Sequence, residues 1–148
     1  MHRRGFTLLE LLVVIVMLGV IMALAIPRLR SAFGGTSTRS ARVTVTTLVA
    51  KARAAAVARG CRATIHFTSG SAGTVWVTVC RLNGAGVDTL GGIEPLAARF
   101  NVTVTATRDS VSFAPSGIGF DGLSTTLLMT GNGGRDSIVI NPIGKVLR

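Results

Sequence analysis

Between residues 6 and 26 the chain carries one charge, Glu10, in 21 residues that are otherwise apolar or small apart from Thr7. At about 1.5 Å per residue, a helix of that length spans the roughly 30 Å hydrocarbon core of a bilayer. His2, Arg3 and Arg4 precede it, so the excess of base on the cytoplasmic side predicts that everything after Pro27 lies outside. Arg28 and Arg30 on the far flank oppose that bias in part. A secretory signal peptide has the same outline, but its apolar stretch runs for only about 7–15 residues. A plain signal anchor accounts for the length and leaves Glu10 without a reason.

An ionised carboxylate at mid-bilayer costs about 2.5–3.5 kcal/mol on insertion scales, and less toward the surface. No Lys or Arg lies within the span, so the compensating cation must come from a neighbouring chain or from a chain terminus. A cut after Gly5 creates an α-ammonium group on Phe6, four residues before Glu10. In a helical assembly of like subunits, the amine of an arriving chain would pair with Glu10 of one already in place.

The 148 residues leave room for one domain beside such a span. Lys and Arg number 16 against 6 Asp and Glu, a net charge of +10 spread along the chain and not gathered in one run. That surface suits a polyanion or anionic lipid, and equally an ordinary solvated face. Residues 28–59 continue a helical register, with Val45, Leu48, Ala52 and Ala55 or Ala56 recurring at steps of three and four while Arg42, Lys51, Arg53 and Arg59 fall largely elsewhere. Gly34 and Gly35 predict a break near 33–37, and Gly60 predicts a left-handed stop.

From residue 61 the period changes to two. Residues 61–68 and 74–82 read as strands joined by a turn at 69–73. Pairing symmetrically about Gly70 and Ser71 sets Phe67 against Thr74, Ile65 against Trp76 and Cys61 against Cys80. Directly opposed residues have Cβ atoms about 4.5–5.5 Å apart, within reach of a disulfide after small adjustment. In an oxidising compartment Cys61 and Cys80 are expected to be joined; the alternative is two small buried apolar side chains. Residues 83–95, rich in glycine, predict a loop, 99–107 a strand, 111–113 a short strand and 114–122 turns. Residues 125–130 and 137–141 then flank G-N-G-G as a second hairpin before the tail 144–148. The sum is an α+β fold: a long N-terminal helix, half transmembrane and half amphipathic, packed on an antiparallel β-sheet.

The segment R-G-F-T-L-L-E-L-L-V-V-I-V-M-L-G-V-I-M-A-L-A-I-P resembles the class III signal of type IV pilins and of type II secretion pseudopilins. The resemblance implies cleavage after Gly5 by a prepilin peptidase, N-methylation of Phe6, Glu10 as the assembly carboxylate and Pro27 as a helix-kinking proline. It divides the chain into a leader at 1–5, a transmembrane and assembly helix at 6–27, an amphipathic helix at 28–59 and a β-rich periplasmic domain at 60–148, with 28–148 forming the globular head. The stretches K-A-R-A-A-A-V-A-R-G-C-R-A-T-I-H-F, V-S-F-A-P-S-G-I-G-F and I-V-I-N-P-I-G-K-V are similar to the GspH/FimT type of minor pilins and pseudopilins. A protein of that type is expected to cross the inner membrane once with its C-terminal domain in the periplasm, and then to join other pilin or pseudopilin subunits in a filament.

Two functions follow from the resemblance. One is that of a minor subunit of a type IV pilus or a type II secretion pseudopilus. The other is DNA capture for natural transformation, which FimT-like members carry out through basic residues near the C-terminus. The family motif there is close to Gly-Arg-x-Arg, whereas this chain reads Gly144, Lys145, Val146, Leu147, Arg148, with the second base displaced by one. Lys145, Arg148 and Arg135 are the candidate phosphate contacts, with Arg62, Arg81, Arg99 and Arg108 behind them. No aromatic set interleaves with these cations, so such binding would be backbone-directed and salt-sensitive. Catalysis finds no residues. His66 is the one imidazole outside the leader, no nucleophile or carboxylate is spaced to serve it, and no phosphate loop, calcium loop or Cys/His metal pattern is present. No enzymatic activity, metal or cofactor is expected.

Overall fold

Helix α1 (Leu8–Arg59) runs for 52 residues, about 78 Å at 1.5 Å per residue, in the computed structural model, which describes residues 7–81, 86–132 and 134–147 and the backbone alone at 27 and 29–35. It ends at Gly60, whose left-handed backbone (φ 61°) lets its N–H reach the carbonyls of Ala56 and Val57. The break expected near 33–37 is absent, and α1 continues through Gly34 and Gly35. Each glycine costs about 1 kcal/mol against alanine. With long helical stretches already formed on both sides, continuing the helix needs no new nucleus, and the glycines weaken it without stopping it.

The face that α1 turns to the core is made of small side chains. Ala41, Val45, Val49, Ala52 and Ala56 are buried, with Leu48 and Ala55 at its margin. The expected stripe omitted Val49. Arg42, Arg53 and Arg59, expected to lie largely off that face, flank it and fasten the β-layers, as described below.

Two antiparallel sheets pack on α1 where the sequence predicts one. The first contains β1 (Ala63–Phe67), β2 (Thr74–Cys80), β3 (Val87–Thr89) and β6 (Ser110–Phe113) in the order β3-β2-β1-β6, with β4 (Glu94–Pro95) also on β2. The second contains β5 (Val102–Ala106), β7 (Thr125–Gly131), β8 (Gly134–Ile140) and β9 (Val146–Leu147) in the order β5-β7-β8-β9. They are tied together at the β1–β2 turn, where Gly70 N–H donates to the Val104 carbonyl at 2.8 Å and Ala106 N–H donates to Ser69 Oγ at 3.1 Å. The segment expected to be a loop at 83–95 contributes β3 and β4, which are too short to leave a periodic signal. The strand expected from residue 99 begins instead at Val102. A one-turn helix, α2 (Leu96–Phe100), precedes it, burying Leu96 and Ala97 and ending at Asn101 in the left-handed region, φ 51°.

The β1–β2 register differs by one residue from symmetric pairing. His66 faces Trp76, Ile65 faces Val77 and Phe67 faces Val75. The reason is burial: a slip of one residue exchanges the two faces of a strand. Symmetric pairing would set Ile65 beside Trp76 and turn Val75, Val77 and Val79 outward, whereas the observed register buries all three valines with Ala63, Ile65 and Phe67. The turn takes up the difference, with Thr74 N–H donating to Thr68 Oγ1 at 2.7 Å. Cys61 and Cys80 are therefore not opposed across the ladder. They are nonetheless disulfide-bonded, with Cα atoms 6.2 Å apart, because Cys61 lies in the bend between Gly60 and β1 and not in the strand.

Candidate assembly site

Leu8–Ile26 forms a 19-residue apolar helical stretch with none of its surface buried against the rest of the protein. Water does not tolerate a continuous apolar surface of that size, so lipid or other helices must cover it. Glu10 stands in its first turn. Thr7 caps the helix: its hydroxyl accepts the Glu10 N–H at 3.2 Å, and its carbonyl accepts the Leu11 N–H at 3.2 Å.

Thr7 and Glu10 have the spacing of a capping box, a signal in T-L-L-E that the membrane argument passes over. A carboxylate there faces unpaired N–H groups and the positive end of the helix dipole, worth about 0.3–1 kcal/mol at an exposed site. Part of the compensation that Glu10 needs is therefore supplied by its own helix. That is well short of the cost of burying the charge, and no ion pair to Glu10 forms among the described residues. Gly5 and Phe6 lie outside the described residues. Pro27 is described by its backbone alone, as part of α1.

At the other end of α1 the head is closed by an arginine. The Arg53 guanidinium donates from Nη2 to the Gly144 carbonyl and lies 5.7 Å from the centroid of the buried Phe113 ring. Two loops converge on it. In the first, at 114–118, Ala114 N–H bonds the Ile118 carbonyl at 2.8 Å, and Gly117 packs so closely that a Cβ would sit 3.0 Å from Val57 Cγ2. In the second, at 141–145, Gly144 N–H bonds the Asn141 carbonyl at 2.8 Å, and Lys145 N–H bonds Asn141 Oδ1 at 2.7 Å. The loops touch at Gly119, where a Cβ would overlap the Pro142 carbonyl oxygen and approach Gly144 N to 3.0 Å.

Other arginines hold the remaining layers. Arg42 pairs with Asp136 of β8 at 3.1 Å, and Arg59 reaches both the Cys80 carbonyl at 2.9 Å and Asp88 at 3.2 Å. Arg81 shares Asp88 at 3.0 Å, Arg108 pairs with Asp121 at 3.2 Å, and Arg99 pairs with Glu94. Three of the secondary phosphate candidates are thus already engaged with carboxylates, and Arg62 lies over the Phe120 ring. The principal candidates are not brought together. Arg135, the second residue of β8, lies opposite Thr130, while Lys145 follows the far end of that strand, about 20 Å away at the usual rise per residue. Arg148 lies outside the described residues. His66 stacks on Trp76, with centroids 5.0 Å apart, and bonds Thr78 Oγ1 at 2.9 Å, while burial pushes its imidazole below the ordinary range.

A long helix whose apolar N-terminal part stands clear of the head, and whose second part is wrapped by antiparallel sheets, is the pilin architecture. Residues 1–26 match the prokaryotic N-terminal methylation motif, and residues 41–144 match the family of the type II transport protein GspH. The second match covers most of the chain, and the protein belongs to that family of minor pilins and pseudopilins. The crystal structure of the type IV minor pilin FimU from Pseudomonas aeruginosa has the same fold, with a TM-score of 0.60 at 15% identity over 76% of this chain and 87% of FimU. A second crystal form of FimU gives 0.57 at 16% identity over 74% and 90%. No curated protein sequence matches the chain.

Proposed function

We propose that the chain is made as a precursor, is cut after Gly5 by a prepilin peptidase and methylated on Phe6, and enters a type IV pilus or type II secretion pseudopilus as a minor subunit. Before assembly, residues 6–27 hold it in the inner membrane with the head, 28–148, on the periplasmic side. During assembly the apolar helix leaves lipid for the filament core, and Glu10 draws the Phe6 amine of a neighbouring chain. Its role is structural and not enzymatic. The observation that carries this reading is the exposed apolar stretch Leu8–Ile26 with a lone carboxylate in its first turn. DNA capture draws no specific support, since Arg135 and Lys145 do not share a patch.

The test separates the capping role of Glu10 from its assembly role. Co-expressed with a prepilin peptidase, the full chain should lose the mass of Met1–Gly5 and gain one methyl group. Thr7→Ala removes the cap and keeps the carboxylate, and should leave incorporation into filaments near the wild-type level. Glu10→Gln keeps most of the side-chain shape and removes the charge, and should abolish incorporation. Equal effects of the two substitutions would reduce Glu10 to a helix cap, and an uncut Gly5–Phe6 bond would overturn the reading itself.

A further inference from the structure

The end of the head beyond the Arg53 closure combines apolar and cationic side chains with no carboxylate left to them. Val57, Ile118, Phe120, Leu123 and Ile143 each expose more than half of their surface. Singly they would be ordinary. Here the tight contacts of Gly117 with Val57, and of Gly119 with Pro142 and Gly144, gather Val57, Ile118, Phe120 and Ile143 on one end of the molecule. Two cations stand among them. The Arg62 guanidinium carbon is 3.6 Å from the Phe120 ring centroid, and exposed Lys145 follows Gly144. Neither forms an ion pair among the described residues. Asp121, the acid nearest in sequence to this apolar set, is held by Arg108 and by the Ser112 N–H at 3.1 Å.

We propose that this face docks a different subunit of the same filament, one whose opposing surface sets a carboxylate among apolar side chains. The proposal rests on the filament-subunit reading above. Three observations select the occupant. The guanidinium stacked on Phe120 is a ready amphipathic contact for a carboxylate flanked by apolar groups. A second copy of this chain is a poor partner: Asp88, Glu94, Asp121 and Asp136 are held by its own arginines, exposed Asp109 lies between Arg108 and Ser110 in sequence and not between apolar residues, and the side-chain balance, +10 minus the 2 of Arg3 and Arg4, stays at +8 after cleavage. Nucleic acid is a poor partner too, because a phosphate-directed face needs several cations, and here two are interleaved with aliphatic side chains. The position also fits. Val57 lies about 46 Å along α1 beyond Ile26, so the face is at the end of the helix away from the membrane span.

The experiment is site-specific photo-crosslinking of the full chain in its own cells. A benzophenone-bearing phenylalanine analogue replaces Ile143 in one strain and Val16, within the apolar stretch, in another. The expected product from position 143 is a covalent pair with a different chain that carries the N-terminal methylation motif, mapped by mass spectrometry to a segment with Asp or Glu between apolar residues. Arg62→Glu with Lys145→Glu should lower its yield about tenfold, as for a charge pair at the centre of an interface. Lys145→Arg should keep it, and crosslinks from Val16 should persist in both. Crosslinking from position 143 to a second copy or to nucleic acid would overturn the proposal, as would a yield indifferent to charge reversal. Silence at 143 with Val16 still joined to other subunits refutes the docking face and leaves the filament reading standing. Silence at both positions brings down both.

Discussion

Three glycines permit the close packing around Arg53 to be measured in separate parts. At Gly144 the backbone is left-handed (φ +80°) and a Cβ would sit 2.5 Å from Cε1 of fully buried Phe113. Gly144→Ala therefore combines a backbone cost of about 1–2 kcal/mol with an overpacking cost of about 1–3 kcal/mol. At Gly70 the backbone is also left-handed (φ +90°), but nothing lies within 4 Å of a Cβ, so Gly70→Ala carries the first cost alone. At Gly119 φ is ordinary and the obstruction is the backbone of Pro142 and Gly144, which cannot rotate away as a side chain would, so Gly119→Ala carries the second. The expected losses are about 1–2 kcal/mol for Gly70→Ala and about 2–5 kcal/mol for Gly144→Ala, a large share of the roughly 5–15 kcal/mol that holds a typical domain. Urea unfolding of the full chain in mild detergent, followed by the fluorescence of its single tryptophan, reads all three. If Gly144→Ala costs no more than Gly70→Ala, the close approach of the two loops to Phe113 is not a constraint and the argument for a tight closure fails.

Three further outcomes follow from the head. Replacing Cys61 and Cys80 together by serine removes a crosslink with a sequence separation of 19, and should lower stability by about 3 kcal/mol, with added reductant reproducing the loss in the wild type. Burial holds the His66 imidazole below its ordinary value of 6.5, so the unfolded chain takes up that proton more readily. Stability from this source is complete above pH 6.5 and is lost as pH falls through the lower folded value, and His66→Gln should flatten the slope of the unfolding midpoint in that window. Asp88 is held below its ordinary 3.8 by hydrogen bonds from Arg81 and then Arg59. Its contribution is present above that value and disappears as pH falls through the folded one, so Asp88→Asn should remove part of the acid transition below pH 4 and leave His66's window unchanged.

The elements that were legible in the sequence are those whose signal is local. The apolar run, the amphipathic register of α1 and the Gly60 stop each depend on residues a few positions apart. The misread elements are those decided by distant partners. Gly34 and Gly35 are locally poor in a helix, but the length of helix on either side carries them. The hairpin centre reads as symmetric about Gly70 and Ser71, yet burial of Val75, Val77 and Val79 against Ile65 and Phe67 decides the register. Residues 96–100 contain the helix formers L-A-A-R, which a strand reading from residue 99 overlooked because Val102 to Ala106 alternates so clearly. The division into two sheets has no signature at all, since it depends on which strands find one another across the chain.

The same distinction explains what the three GspH/FimT-like stretches mean. Arg53 comes from the first, Phe113, Gly117 and Gly119 from the second, and Gly144 from the third; in the folded head Phe113, Gly117 and Gly144 meet around the Arg53 side chain, and Gly119 packs on Gly144. The glycines are there because loops must approach a ring, a helix and one another, and the arginine because a carbonyl and an aromatic face need a cation to close them. The pattern that identifies the family is thus a packing pattern, which specifies how the head closes on its helix and is silent about what the head meets outside. On the docking proposal, specificity for a partner falls to the exposed side chains beside the glycines: Ile118, Phe120 and Ile143, with Lys145 at the basic position of the tail motif. They alternate in sequence with the closing glycines because a loop that turns one residue into the core turns its neighbours out.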